Sequence, residues 1–370
     1  MAGIYLHIPF CKHKCTYCDF TSFPEKLCFS EAYMACLIKE IEQRGKQLSR
    51  MTFDTVYFGG GTPSVVDPIY VAAAVKQIKK SFRLAPDAEI TIEMNPGTVS
   101  EEKIAIYKRA GINRFSVGLQ SAIDEQLEEV GRIHNVRDYM YCASLLKGEN
   151  FSADIMLGLK GQTKEDVRKT VEVAVMSGAS HISMYALTPE DGTPIYTDYL
   201  NGELPDSDEV AELYEYGYAL LKERGFERYE VSNFCKKGKE SKHNLNYWKR
   251  GEYIGLGVSA SSFLGNKRFT NTFDLDEYMK CVLSGFPPVI ESEDVSESDA
   301  KFEFVMLALR TARGLSAKEY KSAFHSEWKE DFSAAYRKTA EYLEEEGDVA
   351  RIKEKYLYVQ NSILSEYMNG

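Results

Sequence analysis

Residues 7–20 read HIPFCKHKCTYCDF, and three cysteines, Cys11, Cys15 and Cys18, fall within this one short stretch. The positions where a fourth thiol would close a tetrahedral metal site hold Asp19 and Phe20 instead. Two kinds of centre suit such a loop. A structural zinc ion would combine the three thiolates with one of His7, His13 or Cys28. An iron-sulfur cube would take one thiolate on each of three irons and leave the fourth corner open to a small molecule. The aromatic residues Phe10, Tyr17 and Phe20 around the cysteines favour the cube, because a zinc knuckle has no use for them.

The rest of the chain sets bounds on what the loop can serve. At 370 residues with 44% hydrophobic content, it is long enough for a large domain and a smaller one. No uninterrupted apolar run reaches bilayer-spanning length, and MAGIYLHIPF lacks the basic and apolar regions of a secretory signal, so a cytoplasmic protein starting at or near Met1 is expected. A net charge of -11 argues against nucleic-acid binding, and the basic KKGKESK at 236–242 is short and carries an acid. Eight cysteines without a signal read as reduced thiols, and for Cys28, Cys36, Cys142, Cys235 and Cys281 buried packing is the default.

Short segments rich in β-branched and aromatic residues, at 4–9, 55–60, 89–95, 114–120, 153–159 and 181–187, read mostly as continuous apolar runs. Parallel strands buried on both faces have this pattern. Helical patterns lie between them. Tyr33, Leu37 and Ile41, joined by Met34 and Ile38, form one stripe behind Ser30 as N-cap, and Thr163 with Asp166 makes a capping box for a helix that stops at Gly178. Six β-then-α units within 1–204 predict a partial α/β barrel of the (β/α)6 TIM type, with its chemistry at the carboxyl ends of the strands. Residues 205–294 read as a barrel extension and linker. Residues 295–370 read as a smaller, α-rich, winged-helix-like C-terminal domain, with a hairpin expected at 349–360.

Several motifs fall at those strand ends. GGGTPS, Gly59 to Ser64, lets backbone amides approach a ligand with no Cβ in the way, or is simply a tight turn. Glu93 and Gln120 offer acceptors, Arg132 a cation for a carboxylate, and Asp154 an acceptor for ribose hydroxyls; each alone would serve equally as a cap or surface pair.

The spacing C-x3-C-x2-C with Tyr17 before the last cysteine resembles the radical S-adenosylmethionine (SAM) enzymes. YLHIPFCKHKCTYCDF, GGGTPS, EMNPGT, GLQS, GRIH, DIMLGLKGQT and YEVSNFCKKGKESKHNLNYW together resemble the oxygen-independent coproporphyrinogen III oxidase group and, within it, the HemW haem chaperones. The resemblance implies a [4Fe-4S] cluster on Cys11, Cys15 and Cys18 whose open iron is chelated by SAM, so that an electron can cleave the sulfonium to a 5'-deoxyadenosyl radical. It further implies Tyr5 and Tyr17 against cluster and SAM, and Gly60, Gly61 and Thr62 at the methionine end. Glu93, Gln120, Arg132 and Asp154 would surround SAM, with Met156 and Ala186 beside adenine. Lys160 replaces the proline usual in the family, a change expected to touch a loop rather than the site.

Within the group, oxidases resemble C-x3-C-x2-C-x-C and carry a long extension before the loop. Here Phe20 holds the extra position and ten residues precede Cys11. HNLNYW, His243 to Trp248, matches the H-N-x-x-Y-W signature of the chaperones. His243 could give an imidazole nitrogen to haem iron, with Cys235 a weaker thiolate alternative, while Tyr247 and Trp248 supply flat apolar surface; these residues could equally brace a domain junction. The expectation is a haem chaperone binding cluster, SAM and haem and passing haem to client haemoproteins, with the oxidase as the alternative. The resemblance implies respiratory clients, an electron donor for the cluster, and any membrane contact as peripheral. It leaves the cluster a role in sensing, in forming a homodimer or in haem release.

Overall fold

The computed structural model describes residues 1–369. The six expected segments are strands: β1 (Ala2–Ile8), β2 (Thr52–Gly60), β3 (Arg83–Met94), β4 (Arg114–Gln120), β5 (Phe151–Leu157) and β6 (His181–Ala186), each parallel to the next. Six further strands join the same sheet: β7 (Glu227–Arg228), β8 (Asn233–Cys235), β9 (Glu252–Leu256), β10 (Ser261–Leu264), β11 (Lys267–Asn271) and β12 (Val289–Asp294). Among the described residues the order is β12-β11-β10-β9-β1-β2-β3-β4-β5-β6-β8-β7, an open sheet rather than a closed barrel. Strand β9 runs parallel to β1, so the parallel arc continues into the segment that the sequence reads as barrel extension and linker.

Both faces of the parallel strands are buried, but they differ in chemistry. Ile4, Leu6 and Ile8 of β1, Val56 and Phe58 of β2, and Phe115, Val117 and Leu119 of β4 pack in the main core with the helices. Because side chains alternate along a strand, the intervening residues face the other way. They are largely polar or aromatic: Tyr5, Tyr57, Glu93, Ser116, Asp154, Ser183 and Tyr185 line cavities on that side. What reads as a continuous apolar run is therefore an alternating one whose second face is reserved for ligands.

The helix Ser30–Gln47 buries Tyr33, Met34, Leu37 and Ile41 as the stripe predicts, and the Thr163–Asp166 capping box opens the helix Lys164–Met176. Three local expectations are corrected. Ser30 is not a cap: a 3-10 turn, Pro24–Phe29, runs straight into the helix and leaves Ser30 in helical conformation. Cys28, in that turn, is exposed rather than packed. The C-terminal hairpin pairs β14 (Leu343–Glu346) with β15 (Val349–Ile352) about Gly347, whose positive φ suits the turn, so 349–360 contains only its second strand. With β13 (Leu315–Ser316) beside β15, these strands and the helices from Glu297 onward enclose a second core around Leu309, Tyr320, Trp328 and Phe332.

A buried carboxylate and a buried tyrosine of the helix Ser30–Gln47 tie it to the turn after β9 and to the end of β1 from which the cysteine loop departs. Glu40 is 1% exposed and accepts from Gly257 N at 2.8 Å, Tyr278 Oη at 2.7 Å and Asn271 Nδ2 at 3.1 Å. Alongside it, Tyr33 donates to the His7 carbonyl at 2.6 Å and accepts from Val258 N at 3.1 Å. The helix thereby joins β1 to the turn after β9. Replacing Glu40 by Leu takes the acceptor from Gly257 N and Tyr278 Oη and one of two from Asn271 Nδ2, and a loss of about 2–4 kcal/mol is expected in urea unfolding; a change below about 0.5 kcal/mol would show that the carboxylate carries no structural load.

Candidate functional site

The cysteine loop is held at both ends by backbone. Gly61 N donates to Ile8 O at 2.9 Å, Thr62 N to Phe10 O at 2.7 Å and Phe23 N to Pro9 O at 2.7 Å, while Thr16 N reaches Val130 O at 3.1 Å. This approach requires glycine: a Cβ on Gly61 would lie 2.8 Å from Phe10 O and 3.1 Å from Cys11 Sγ. Gly60 has φ +110°, in the region that favours glycine, and a Cβ there would meet the His7 ring at 2.8 Å. Cys11 Sγ sits 3.4 Å from Thr62 Oγ1, and Cys15 Sγ contacts Gly131 O at 3.7 Å and Arg132 Nη1 at 3.9 Å.

The three cysteines open onto one cavity of about 580 Å³, within the range of small-molecule sites. Tyr17, Gly60, Gly61, Thr62, Glu93, Gln120, Arg132, Asp154, Met156 and Ala186 all line it. Tyr5 does not: its hydroxyl pairs with His7 Nδ1 at 3.0 Å, and its ring stacks on Tyr57, which forms the wall in its place. Tyr57, Ser116, Ser183 and Tyr185 also line the cavity and were missed. Strand alternation was the signal that could have found them, since Ser116 lies opposite Glu93, Ser183 opposite Asp154 and Tyr185 opposite Met156 in register. Lys160 lies outside, exposed and paired with Glu203.

The cavity is charged in a definite pattern. Arg132 donates to Tyr17 Oη and to Gly118 O, both at 3.3 Å, while its buried Nε has no partner. Burial opposes its charge, yet Tyr17 and Cys15 beside it hold the guanidinium above its usual value. Burial, reinforced by Asp154, pushes the Glu93 carboxyl up to about 7, against the hydrogen bond it accepts from Tyr57 at 2.7 Å. Burial likewise raises Asp154 to about 6, although Ser116 Oγ donates to it at 3.1 Å. Gln120, at φ +67°, accepts from Tyr185 Oη at 2.8 Å. Thiols, an unpartnered guanidinium nitrogen and two unsettled carboxyls together suit a zwitterionic ligand that carries a carboxylate at one end and cationic groups beside the acids.

Of the residues that would complete a zinc site, His13 lines the cavity, while His7 and Cys28 are engaged or placed elsewhere. His7 binds Thr21 O through Nε2 at 2.8 Å and Tyr5 through Nδ1, and Cys28 lies outside the cavity. Among the described residues, no three His, Cys, Asp or Glu side chains converge on one ion position. Cys11, Cys15 and Cys18 line the cavity together with Arg132 and the glycine turn, an arrangement that suits a centre larger than a single ion.

Of the haem candidates, His243 and Tyr247 meet and Trp248 stands apart. His243, in the helix Lys242–Trp248, is 1% exposed, with Nδ1 at 2.8 Å from Thr55 Oγ1 and Nε2 at 2.9 Å from Tyr247 Oη. Its ring stacks on Tyr57 at 4.9 Å, and burial lowers it to about 3, so it stays neutral. Tyr247 lines a separate open cleft, and Trp248 a pocket against the helix Glu297–Leu309 with Phe304 and Ala308. Cys235 is buried in β8, where burial pushes its thiol up to about 12. The structure thus places His243 beside Tyr247, one helical turn on, and sends Trp248, the next residue along the helix, to a different pocket, so the three do not form one surface.

An open arc of parallel strands with a three-cysteine loop after the first strand defines the class, and the Radical SAM superfamily profile matches residues 5–174. The chain belongs to the radical SAM superfamily. Along most of its length it is similar to proteins named heme chaperone HemW, from Bacillus subtilis (33% identical over 326 residues, 86% of each chain) and Escherichia coli K12 (34% over 323 residues, 83% of this chain and 82% of that one). In fold it is similar to the coproporphyrinogen III oxidase HemN of Escherichia coli, at TM-score 0.88 and 18% identity over 99% of this chain and 89% of that one. Among the described residues no helix is long and apolar enough to cross a membrane.

Because the Glu93 carboxyl lies at about 7 in the folded chain against an ordinary 4.5, the ligand-free fold favours its protonated form, and stability is lost as pH rises from about 5 through 7. Glu93→Gln keeps an acceptor for Tyr57 and removes that loss. At pH 8 the variant is expected to be about 1–2 kcal/mol more stable than the parent, with near parity at pH 4; equal stability at both pH values would show that Glu93 is not destabilised by its burial.

Proposed function

We propose that the protein is a haem chaperone that holds a [4Fe-4S] cluster, SAM and haem and passes haem to client haemoproteins. The observation that carries the first part is the single cavity into which Cys11, Cys15 and Cys18 open together with Arg132, the Gly60–Thr62 turn and the Glu93 and Asp154 carboxyls. In this reading Cys11, Cys15 and Cys18 hold three irons. The unpartnered Nε of Arg132 meets the SAM carboxylate, and Gly60 to Thr62 carry the methionine end. Glu93 ionises to face the cationic groups, Asp154 and Gln120 take the ribose hydroxyls, and Met156, Tyr185 and Ala186 flank adenine. When bound, the cluster supplies an electron to the sulfonium. The protein's own part is to exclude water and to fix that carboxylate and that sulfonium by the charges described above.

The haem-carrying part is supported by the names of the relatives aligned along most of the chain and by the HNLNYW segment, set against Phe20 where the oxidases have a further cysteine. The fold likeness to HemN supports the alternative, radical decarboxylation of porphyrinogen propionates to vinyl groups. Anaerobic reconstitution with iron and sulfide, then parallel assays of haem retention and coproporphyrinogen III decarboxylation, separates the two. Haem retention without vinyl formation is expected; turnover to vinyl products would establish the oxidase. Cys15→Ala is expected to abolish the cluster absorbance, whereas loss of stoichiometric zinc alone would restore the mononuclear reading.

A further inference from the structure

We infer that Tyr247, and not His243, is the residue of the HNLNYW segment that binds haem iron, as a phenolate steadied by a hydrogen bond from His243. The inference rests on the haem-carrying reading above. His243 has no free nitrogen to offer: one faces Thr55, the other faces Tyr247, and its ring is stacked on Tyr57. Nor has it room to swing. A Cβ on Gly3 would already lie 3.1 Å from His243 Cε1, and the His243 backbone N–H is tied to buried Glu89 at 3.1 Å. Turning this imidazole onto an iron would break both side-chain bonds and unpack the helix.

Tyr247 lies one helical turn on, on the same side as His243, which is why the two side chains meet. It lines an open cleft of about 390 Å³ with Tyr5, Tyr253, Phe20 and Phe273. Edge-on contacts with Tyr253 at 4.7 Å and with His243 at 4.9 Å fix the direction of its phenol. Phe20 and Phe273 are 63% and 51% exposed, an unusual state for two large aromatics sharing one cleft, and a flat apolar macrocycle would cover both. This cleft is distinct from the cysteine cavity, although Asp19 and Phe20 border both.

The chemistry balances without a redox change. On binding ferric haem the Tyr247 O–H bond breaks, an Fe–O bond forms and the proton leaves through the open cleft to solvent. His243 remains neutral, in the tautomer whose Nε2–H donates to the phenolate. The Thr55 hydroxyl, able to donate or accept, then donates to Nδ1. A hard phenolate suits iron(III), and tyrosine is an established type of haem ligand.

The test is titration of ferric haemin into the full-length protein, read by absorption and resonance Raman spectroscopy. The parent is expected to show a phenolate-to-iron charge-transfer band and phenolate ring modes. Tyr247→Phe, which keeps the ring, is expected to lose both and to release haemin to apomyoglobin about tenfold faster, while binding metal-free protoporphyrin IX within about twofold of the parent. His243→Ala is expected to shift the band and keep it. Ser261→Trp, placed on the cleft wall, is expected to weaken haemin and protoporphyrin alike. Phenolate modes that survive in Tyr247→Phe, an imidazole signature in the parent that vanishes with His243→Ala, or unchanged binding by Ser261→Trp would each overturn the assignment. If the parent retains no haemin at all, the chaperone reading itself falls.

Discussion

Where β2 ends, its backbone passes so close to the cysteine loop that no side chain fits between them. Gly61 packs against Phe10 and Cys11, and Gly60 against the His7 ring, so the turn and the loop are one rigid unit held by two strand-end hydrogen bonds. Everything else about the cavity follows from that contact. It sets Cys11 beside Thr62 and carries the loop across the mouth of the sheet until Cys15 reaches Arg132. A substituent of one methyl group at Gly61 would move the first thiol relative to the other two.

Behind the loop, the parallel strands solve a problem that ordinary buried sheets do not meet. They pack helices on one face and must present polar chemistry on the other without exposing it to bulk water. Isolated, the polar side chains there would be costly, and they are quieted by pairing: Tyr57 with Glu93, Ser116 with Asp154, Tyr185 with Gln120. What remains unpaired is Arg132 Nε, and the carboxyls that remain hard to ionise are Glu93 and Asp154. The leftover demand of the cavity is therefore for one anion and for positive charge, the two ends of an amino-acid sulfonium.

The sequence made much of this legible because chemistry at strand ends leaves short, local marks. The GGGTPS turn, Glu93 and Gln120 sit at strand ends, the cysteines and Arg132 lie in loops that follow strands, and Asp154 lies within β5; they converge as the α/β alternation requires. Tyr5 lies one strand away from the cysteine cavity, because its register partner Tyr57 is the ring that lines it, a choice between neighbouring strands that no local pattern records. The burial of His243 escaped the sequence for a different cause. A histidine in a short polar segment looks available, and its burial against Thr55 comes from a contact 188 residues away that no local pattern records. The strand β9 was hidden by its shortness and by Gly255, which breaks the apolar run but allows the close approach of the Ser261 backbone.

Asp19 and Phe20 border two chambers at once, the one that gathers the thiols and the one that Tyr247 enters. A dipeptide in that position is a shared bulkhead: it cannot shift to suit one compartment without redrawing the other. With the proposed cluster in one chamber and the proposed macrocycle in the other, a shift of the short segment that follows Cys18 would be felt on both sides through the same two residues.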